Sequence, residues 1–230
     1  MKRRYIIIAV LLCLVIFSGY SQAKIFLVNL YDDWVDVRLG EDYNYVFLME
    51  GLGPYDATYM LETWDYGVYT LWFKLEYERE WTYWWDDRTE REIDCYVDPG
   101  YSYCIFIDPE GYPEFFTLTE DYGRGANVCF INGTPETLSA MEIGEWWGDP
   151  EAYSDQLDYY TVTNFVSIQE GWYSLYWQYP YQRRSDEYFF YPDSSGRGDE
   201  IFYFGRGDYA IFVAYEEYGE PYANLFYITP

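Results

Sequence analysis

Residues 25–40 read IFLVNLYDDWVDVRLG, and residues 128–144 read VCFINGTPETLSAMEIG. Each stretch is an apolar run that ends in an Asn, then a polar turn, then a second strand-like segment that ends in a Gly. A nearly constant shift in residue number between several such landmarks is typical of a duplicated domain, so we expect two copies of one structural unit. The landmark pairs are Asn29 and Asn132, Gly40 and Gly144, Gly67 and Gly171, and Gly100 and Gly207, with offsets of 103, 104, 104 and 107.

Both parts of the repeat are rich in short apolar and aromatic runs that are separated by Gly, Pro and Asp. Aromatic residues make up 24% of the chain, and Tyr and Trp favour strands. No long window of helical periodicity stands out. The pattern predicts an all-β protein of two tandem Ig-like antiparallel β-sandwich domains, residues 24–121 and 126–230. The polar junction at 121–127 contains Gly and predicts a hinge between them.

Residues 1–23 have the features of a signal peptide. The segment MKRR is basic, residues 5–17 are apolar, and Ser21 and Ala23 fit a cleavage site after Ala23. We therefore expect cleavage, no stable membrane insertion afterwards, and a periplasmic or secreted protein.

The chain is strongly acidic, with a net charge of −26. Cleavage would remove three basic residues and no acidic ones, which gives a mature charge of about −29. This charge repels phosphates and anionic lipid heads, so we expect no nucleic acid partner. The sequence contains no His, which excludes Ser-His-Asp catalysis and His-bound zinc. We predict no enzymatic activity, no cofactor and no metal site, and a solvated acidic surface in preference to calcium-binding loops.

The densest aromatic run is WTYWW at 81–85, and strand alternation would place Trp84 on the face opposite to the other three rings. One interpretation is a stacking surface for sugar rings or a partner protein. The other is that the rings fill a core or cover an edge. An aromatic pair just after Gly144 has the same two interpretations. The candidate glycan or partner surface comprises Trp81, Tyr83, Trp84, Trp85, Trp146 and Trp147.

Cys95 and Cys104 flank the turn at 98–101 symmetrically. With a loop of two or four residues, they would face each other across an antiparallel pair, at a distance that a disulfide can bridge. Export would permit the oxidation. The alternative is two buried thiols that act as small apolar residues.

The sequence Asn132-Gly133-Thr134 matches the acceptor motif for N-glycosylation. The equivalent residue in the first copy, Asn29, lacks the Thr two positions later. A turn at the end of a strand explains an Asn in both copies, so we predict a structural role.

The order of these landmarks resembles a known family. An exported chain with an apolar strand ending in Asn (FLVN and FIN), a polar turn, a strand closing in Gly (VDVRLG) and later Gly-x-Tyr strands is similar to the periplasmic accessory proteins of alginate O-acetylation, the AlgF-like family. The resemblance covers nearly the whole mature chain, as order and spacing of landmarks.

The resemblance implies two tandem β-sandwich domains and a non-enzymatic adaptor. Such an adaptor supports O-acetylation of an exported polysaccharide by binding the acetyltransferases beside it. The expected partners are then proteins of a polysaccharide-modifying complex, or the polysaccharide itself. The alternatives are a carbohydrate-binding protein and a structural or adhesive protein of the envelope.

Overall fold

The structure is a computed structural model that describes residues 22–41, 44–63, 66–75, 78, 80–83, 85–86, 91–92, 94–119, 125–144, 150–178, 188–189, 202–217 and 220–228. Residues 1–21 of the predicted signal peptide and residues 121–124 of the predicted junction lie outside this set, whereas Ala23, the last residue of that peptide, is the first residue of a strand. Below, the first half means residues 22–119 and the second half means residues 125–228. In this part of the chain there is no helix that could cross a bilayer.

The regular structure of the described residues is all β-strand, as predicted. The first half contains β1 (Ala23–Asn29), β2 (Val35–Glu41), β3 (Asn44–Leu52), β4 (Asp56–Thr63), β5 (Gly67–Leu75), β6 (Thr82–Tyr83), β7 (Trp85–Asp86), β8 (Arg91–Glu92), β9 (Asp94–Val97), β10 (Ser102–Ile107) and β11 (Pro113–Leu118). The second half contains β12 (Ala126–Gly133), β13 (Leu138–Gly144), β14 (Pro150–Leu157), β15 (Thr161–Val162), β16 (Val166–Ile168), β17 (Gly171–Gln178), β18 (Tyr188–Phe189), β19 (Phe202–Phe204), β20 (Tyr209–Glu217) and β21 (Glu220–Ile228).

Each half forms two sheets with the same order of strands. In the first half, inner sheet 1 has the order β11-β10-β1-β4, and outer sheet 1 has the order β3-β2-β5, with β6 and β9 both paired to β5. In the second half, inner sheet 2 places β12 between β20-β21 and the short strands β15 and β16. Outer sheet 2 has the order β14-β13-β17, with β18 and β19 both paired to β17. Strands β7 and β8 pair only with each other among the described strands.

Pairing is antiparallel apart from one parallel pair in each inner sheet, β1 with β10 and β12 with β20. The parallel pairs occupy equivalent positions in the two halves. The Ig-like assignment stays a prediction, as do the exact domain boundaries.

Alternation along the strands builds one core inside each sandwich. On β2, for example, Val35, Val37 and Leu39 are buried, while the polar residues between them are only partly buried. Apolar residues from both sheets of the first half form its core, and the second half has a corresponding core that includes Trp177 and Phe212. A period of two with one apolar face is what a sandwich requires.

A third core lies between the two inner sheets and joins the halves. Phe26 lies at its centre, with its ring 5.1 Å from the ring of Phe165 and 5.2 Å from that of Tyr209. The stacked rings of Tyr55 and Tyr215 lie 4.9 Å apart at the same interface. The four sheets therefore form successive layers in the order outer 1, inner 1, inner 2, outer 2.

The two halves therefore pack directly against each other, while the hinge at 121–127 stays a prediction because residues 121–124 lie outside the described set. Strands β10 and β12 are buried along almost their whole length, because one face packs into their own sandwich and the other faces the opposite half. A strand that is covered on both faces has a continuous apolar run. Gly133 shows how closely the halves approach, since a Cβ there would lie 2.2 Å from Leu30 Cδ1.

The repeated Asn closes the same turn in both halves. The Nδ2 group of Asn132 donates to the carbonyl oxygens of Glu136 at 2.7 Å and of Leu157 and Asp158 at 2.9 Å each. Its Oδ1 accepts hydrogen bonds from the backbone N–H and the hydroxyl of Thr134. Both Asn132 and Asn29 are fully buried, which confirms a structural role and excludes Asn132 as a glycosylation acceptor.

Asn29 makes the equivalent bonds. Its Nδ2 donates to the carbonyl oxygens of Asp33, Leu52 and Gly53 at 2.8, 3.2 and 2.9 Å, and its Oδ1 accepts from the N–H of Tyr31. In each half the Asn therefore ties the end of one strand of the inner sheet to the corner that links the two sheets.

Candidate functional site

Most of the aromatic surface predicted from sequence lies outside the described side chains. Trp84, Trp146 and Trp147 are among the residues that the structure does not describe, and for Tyr83 and Trp85 only the backbone is described. The strand predicted at 81–85 is described in two pieces, on either side of Trp84. Its two ends belong to different strands, since β6 pairs with β5 and β7 pairs with β8.

Trp81 is described, and it is partly buried under cations. The guanidinium carbon of Arg38 lies 4.5 Å from its ring centroid, and Lys74 Nζ lies 5.4 Å from it. Lys74 also forms an ion pair with Asp36 at 2.7 Å. A ring that is covered in this way contributes to packing on outer sheet 1 and offers little open face for stacking.

The predicted disulfide between Cys95 and Cys104 is wrong, because both residues are free thiols on different sheets. Cys95 lies on β9 of outer sheet 1 and points into the core of the first half. Cys104 lies on β10 of inner sheet 1 and points into the core between the halves, as does Cys129. Burial raises the pKa of all three thiols, which makes them unreactive small apolar residues.

An exposed aromatic pair lies at one end of outer sheet 1. Tyr96, on β9, is opposite Val68 of β5, and its ring lies 5.6 Å from that of Tyr66 in an edge-to-face arrangement. Tyr66 is 66% exposed and Tyr96 is 46% exposed. A hydrogen bond between the two hydroxyls raises the pKa of Tyr96 to about 12 and fixes the relative position of the rings.

Outer sheet 2 carries a second pair at the equivalent place. Trp172 of β17 is opposite Tyr203 of β19, and their ring centroids lie 5.1 Å apart at an interplanar angle of 55°. Trp172 is 64% exposed. The hydroxyl of Tyr203 donates a hydrogen bond to Glu170, and this bond raises the pKa of Tyr203.

The two pairs correspond through the repeat. Residues 66–68 read Tyr-Gly-Val and residues 170–172 read Glu-Gly-Trp, and both segments enter the central strand of an outer sheet. In each half the residue before the Gly bonds to a Tyr on the neighbouring strand. In the first half that residue, Tyr66, is itself the exposed ring, whereas in the second half the exposed ring is Trp172, which takes the place of Val68. We call these sites the first aromatic pair (Tyr66 and Tyr96) and the second aromatic pair (Trp172 and Tyr203).

A cleft of about 330 Å³ lies beside the first aromatic pair, between the edges of β9 and β11. Tyr103 and Phe115 form its floor, with their rings stacked 5.3 Å apart. The hydroxyl of Tyr103 accepts a hydrogen bond from the N–H of Asp98 at 2.7 Å, which holds the ring in position. The remaining lining residues are Asp94, Tyr96, Asp98, Tyr101 and Thr117.

The buried carboxyl group of Asp108 has a structural explanation. Burial raises its pKa, and this effect is opposed by the N–H groups of Glu110 and Tyr112, which donate to Oδ1 at 2.9 and 2.8 Å. Asp108 thus closes the turn between β10 and β11. No group of three or more His, Cys, Asp or Glu side chains within the described residues is placed to hold a metal ion.

The comparisons with known proteins assign no family. No protein-family model matches the chain, and no curated protein matches it. Membership of the AlgF-like family therefore stays a prediction, and a proposal for the function depends on the surfaces described above.

Proposed function

We propose that the protein is a non-catalytic glycan-binding protein in which the two aromatic pairs are stacking surfaces for sugar rings. The observation that carries the proposal is the repeat itself: both halves expose an aromatic pair at the same end of the outer sheet, and in both the Tyr of the neighbouring strand is held by a hydrogen bond. Contiguous exposed apolar surface with a polar rim is typical of binding sites, in contrast to single exposed rings.

Sugars suit these surfaces chemically. The C–H faces of a pyranose pack on Tyr and Trp rings as other apolar surfaces do, while its hydroxyl groups need polar neighbours. Each pair supplies such neighbours, in the hydroxyls of Tyr66 and Tyr96 and in the carboxylate of Glu170 beside Tyr203. The rings stand on rigid strands, which reduces the entropy that is lost on binding.

The charge of the protein narrows the choice of glycan. A net charge of −26 repels polyanions such as polyuronates and sulfated polysaccharides. The favoured ligand is therefore a neutral or cationic polysaccharide. A non-catalytic role is supported by the lack of His, which leaves no imidazole for acid–base chemistry.

The experiment is a titration of the chain with cellotetraose, followed by Trp fluorescence and calorimetry. Trp172→Ala and Tyr66→Ala should each weaken binding by about fivefold, which corresponds to loss of one aromatic contact of about 1 kcal/mol. Trp34→Ala is the matched control, because Trp34 is 50% exposed but lies over Gly51 and Gly53, away from both pairs. Equal losses in all three variants, or no binding by the unchanged chain, would contradict the proposal.

The role in polysaccharide O-acetylation, through bound acetyltransferases, stays a prediction from the resemblance. Binding of the polymer by the aromatic pairs is compatible with an adaptor, but the acidic surface disfavours alginate, which is itself a polyanion. Co-purification of an acetyltransferase with the tagged chain would support the adaptor role.

A further inference from the structure

We propose that the cleft in the first half binds a protonated amino sugar, so that the glycan recognised by the protein contains residues with an unacetylated amine. This inference rests on the proposed function and names the class of sugar. Its basis is the chemistry of the cleft, a comparison with the second half, and the position of the cleft beside the first aromatic pair.

The cleft combines aromatic walls with two carboxylates. Tyr101 is exposed beside it, Tyr96 contributes one wall, and the stacked rings of Tyr103 and Phe115 form its floor. Aromatic rings attract cations through their electron-rich faces, and this attraction grows where water is partly excluded. Asp94 and Asp98 add two negative charges to the same cleft.

These carboxylates have no cation of their own within the described residues. The ion pair found there joins Lys74 to Asp36, and neither Asp94 nor Asp98 contacts a Lys or Arg among the side chains that the structure describes, a set that leaves out the side chain of Arg91. A ligand that brings an ammonium group would therefore gain charge-assisted hydrogen bonds at this cleft. An anionic or acetylated sugar has no ammonium group and would form no ion pair with these carboxylates.

The second half has the same order of strands but different residues at several positions of the cleft. The repeat aligns Asp98 with Gly205 and Tyr103 with Ala210, so one carboxylate and the floor ring are both missing. Thr117 corresponds to Tyr227, whose ring packs 5.4 Å from that of Phe204. Asp98 and Tyr103 of the cleft are therefore peculiar to the first half and are not required by the sandwich, whereas Tyr96 has a counterpart in Tyr203.

The size and position of the cleft favour a sugar over a peptide. A volume of about 330 Å³ is at the lower end of the range for ligand sites and suits one ring. Tyr96 belongs both to the cleft and to the first aromatic pair. One glycan chain can thus place a residue on the pair and its neighbour in the cleft.

The test uses three β-1,4-linked tetrasaccharides that differ only at C2, namely the tetramers of glucosamine, N-acetylglucosamine and glucose. We expect the glucosamine tetramer to bind about tenfold more tightly than the other two. The double variant Asp94→Asn and Asp98→Asn should remove this preference, so that the three tetramers bind with similar affinity. The matched control is Asp32→Asn with Glu151→Gln, two exposed carboxylates that line neither the cleft nor an aromatic pair.

The outcomes separate failure of the amino-sugar inference from failure of the proposed function. Equal affinity for the three tetramers would overturn the amino-sugar inference and leave glycan binding standing. A preference that persists in the cleft variant, or that is lost equally in the control, would also overturn it. Binding of tetralysine through Asp94 and Asp98, with no binding of any tetrasaccharide, would overturn both the inference and the proposed function.

Discussion

The buried Asn of each half offers the sharpest test of the fold, through the substitution Asn132→Asp. The change keeps the size of the side chain but removes the Nδ2 group, which donates to three carbonyl oxygens at 2.7 to 2.9 Å. A buried acceptor without its donor costs about 1 to 3 kcal/mol. The new carboxylate would also be a buried charge that faces carbonyl oxygens. We therefore expect the free energy of unfolding to fall by at least about 4 kcal/mol at pH 8.

The loss should depend on pH in a defined direction. Burial raises the pKa of the new carboxyl group above its unfolded value of about 3.9. The cost of the buried charge is therefore absent below the pKa of the unfolded state. It grows as the pH rises towards the pKa of the folded state and is complete above that value. The protonated carboxyl also regains one donor. Urea unfolding at pH 5 and pH 8 should consequently show a smaller loss at pH 5.

Two further variants complete this test. Asn29→Asp should cost a similar amount, because Asn29 donates to three carbonyl oxygens in the same geometry. Asn164→Asp is the control, because only the Oδ1 of Asn164 is used, as acceptor for the N–H of Thr119. A loss below about 1 kcal/mol for Asn132→Asp, or an equal loss for Asn164→Asp, would refute the reasoning.

Three other predictions address the cores and the first aromatic pair. Phe26→Ala should lower the free energy of unfolding by about 3 to 5 kcal/mol, with both halves still unfolding in one transition, since its ring packs across the interface. Cys104 and Cys129 should not react with a thiol reagent at pH 8 until guanidinium is added, because burial raises their pKa values; reaction in the folded state would contradict their placement. Tyr66→Phe should lower the pKa of Tyr96 from about 12 towards 10, as followed by NMR of labelled tyrosine, and an unchanged value would exclude the hydrogen bond.

Much of the fold follows from pattern alone. The alternation VDVRL on β2 predicts a strand with one buried face, and the constant offset of the Asn and Gly landmarks predicts two similar units. The shared core was also visible in principle, because IFLV on β1 and AIFVA on β20 are apolar without a break. Such runs indicate strands that are covered on both faces. They therefore predict packing between the two halves, which the polar composition of the junction at 121–127 does not.

The disulfide could not be decided from spacing. A turn between two strands shows that the chain reverses, but it does not show that the two strands pair. The turn around Gly100, which has a φ of 99°, carries the chain from β9 of outer sheet 1 to β10 of inner sheet 1. Cys95 and Cys104 therefore point into different cores.

The candidate site could be predicted only in part. Alternation along GWYSLYW places Trp172 on the face opposite to Tyr173, and this was a readable sign of exposure. The ring that contacts Trp172 could not be found in the same way, because Tyr203 lies beside it only through the pairing of β19 with β17. Likewise, Tyr96 reaches the first aromatic pair only through the pairing of β9 with β5. The high density of Trp at 81–85 does not show whether a ring is open to solvent or, like that of Trp81, covered by Arg38 and Lys74.

The central claim is that the repeated aromatic pairs bind a glycan. The most direct measurement is a glycan array probed with the unchanged chain and with the double variant Tyr96→Ala and Trp172→Ala, after circular dichroism has shown that both are folded. We predict that neutral and amine-bearing glycans of the array bind the unchanged chain and bind the double variant about fivefold more weakly, because each pair loses one aromatic contact. Absence of any retained glycan, or identical retention by both proteins, would contradict the account.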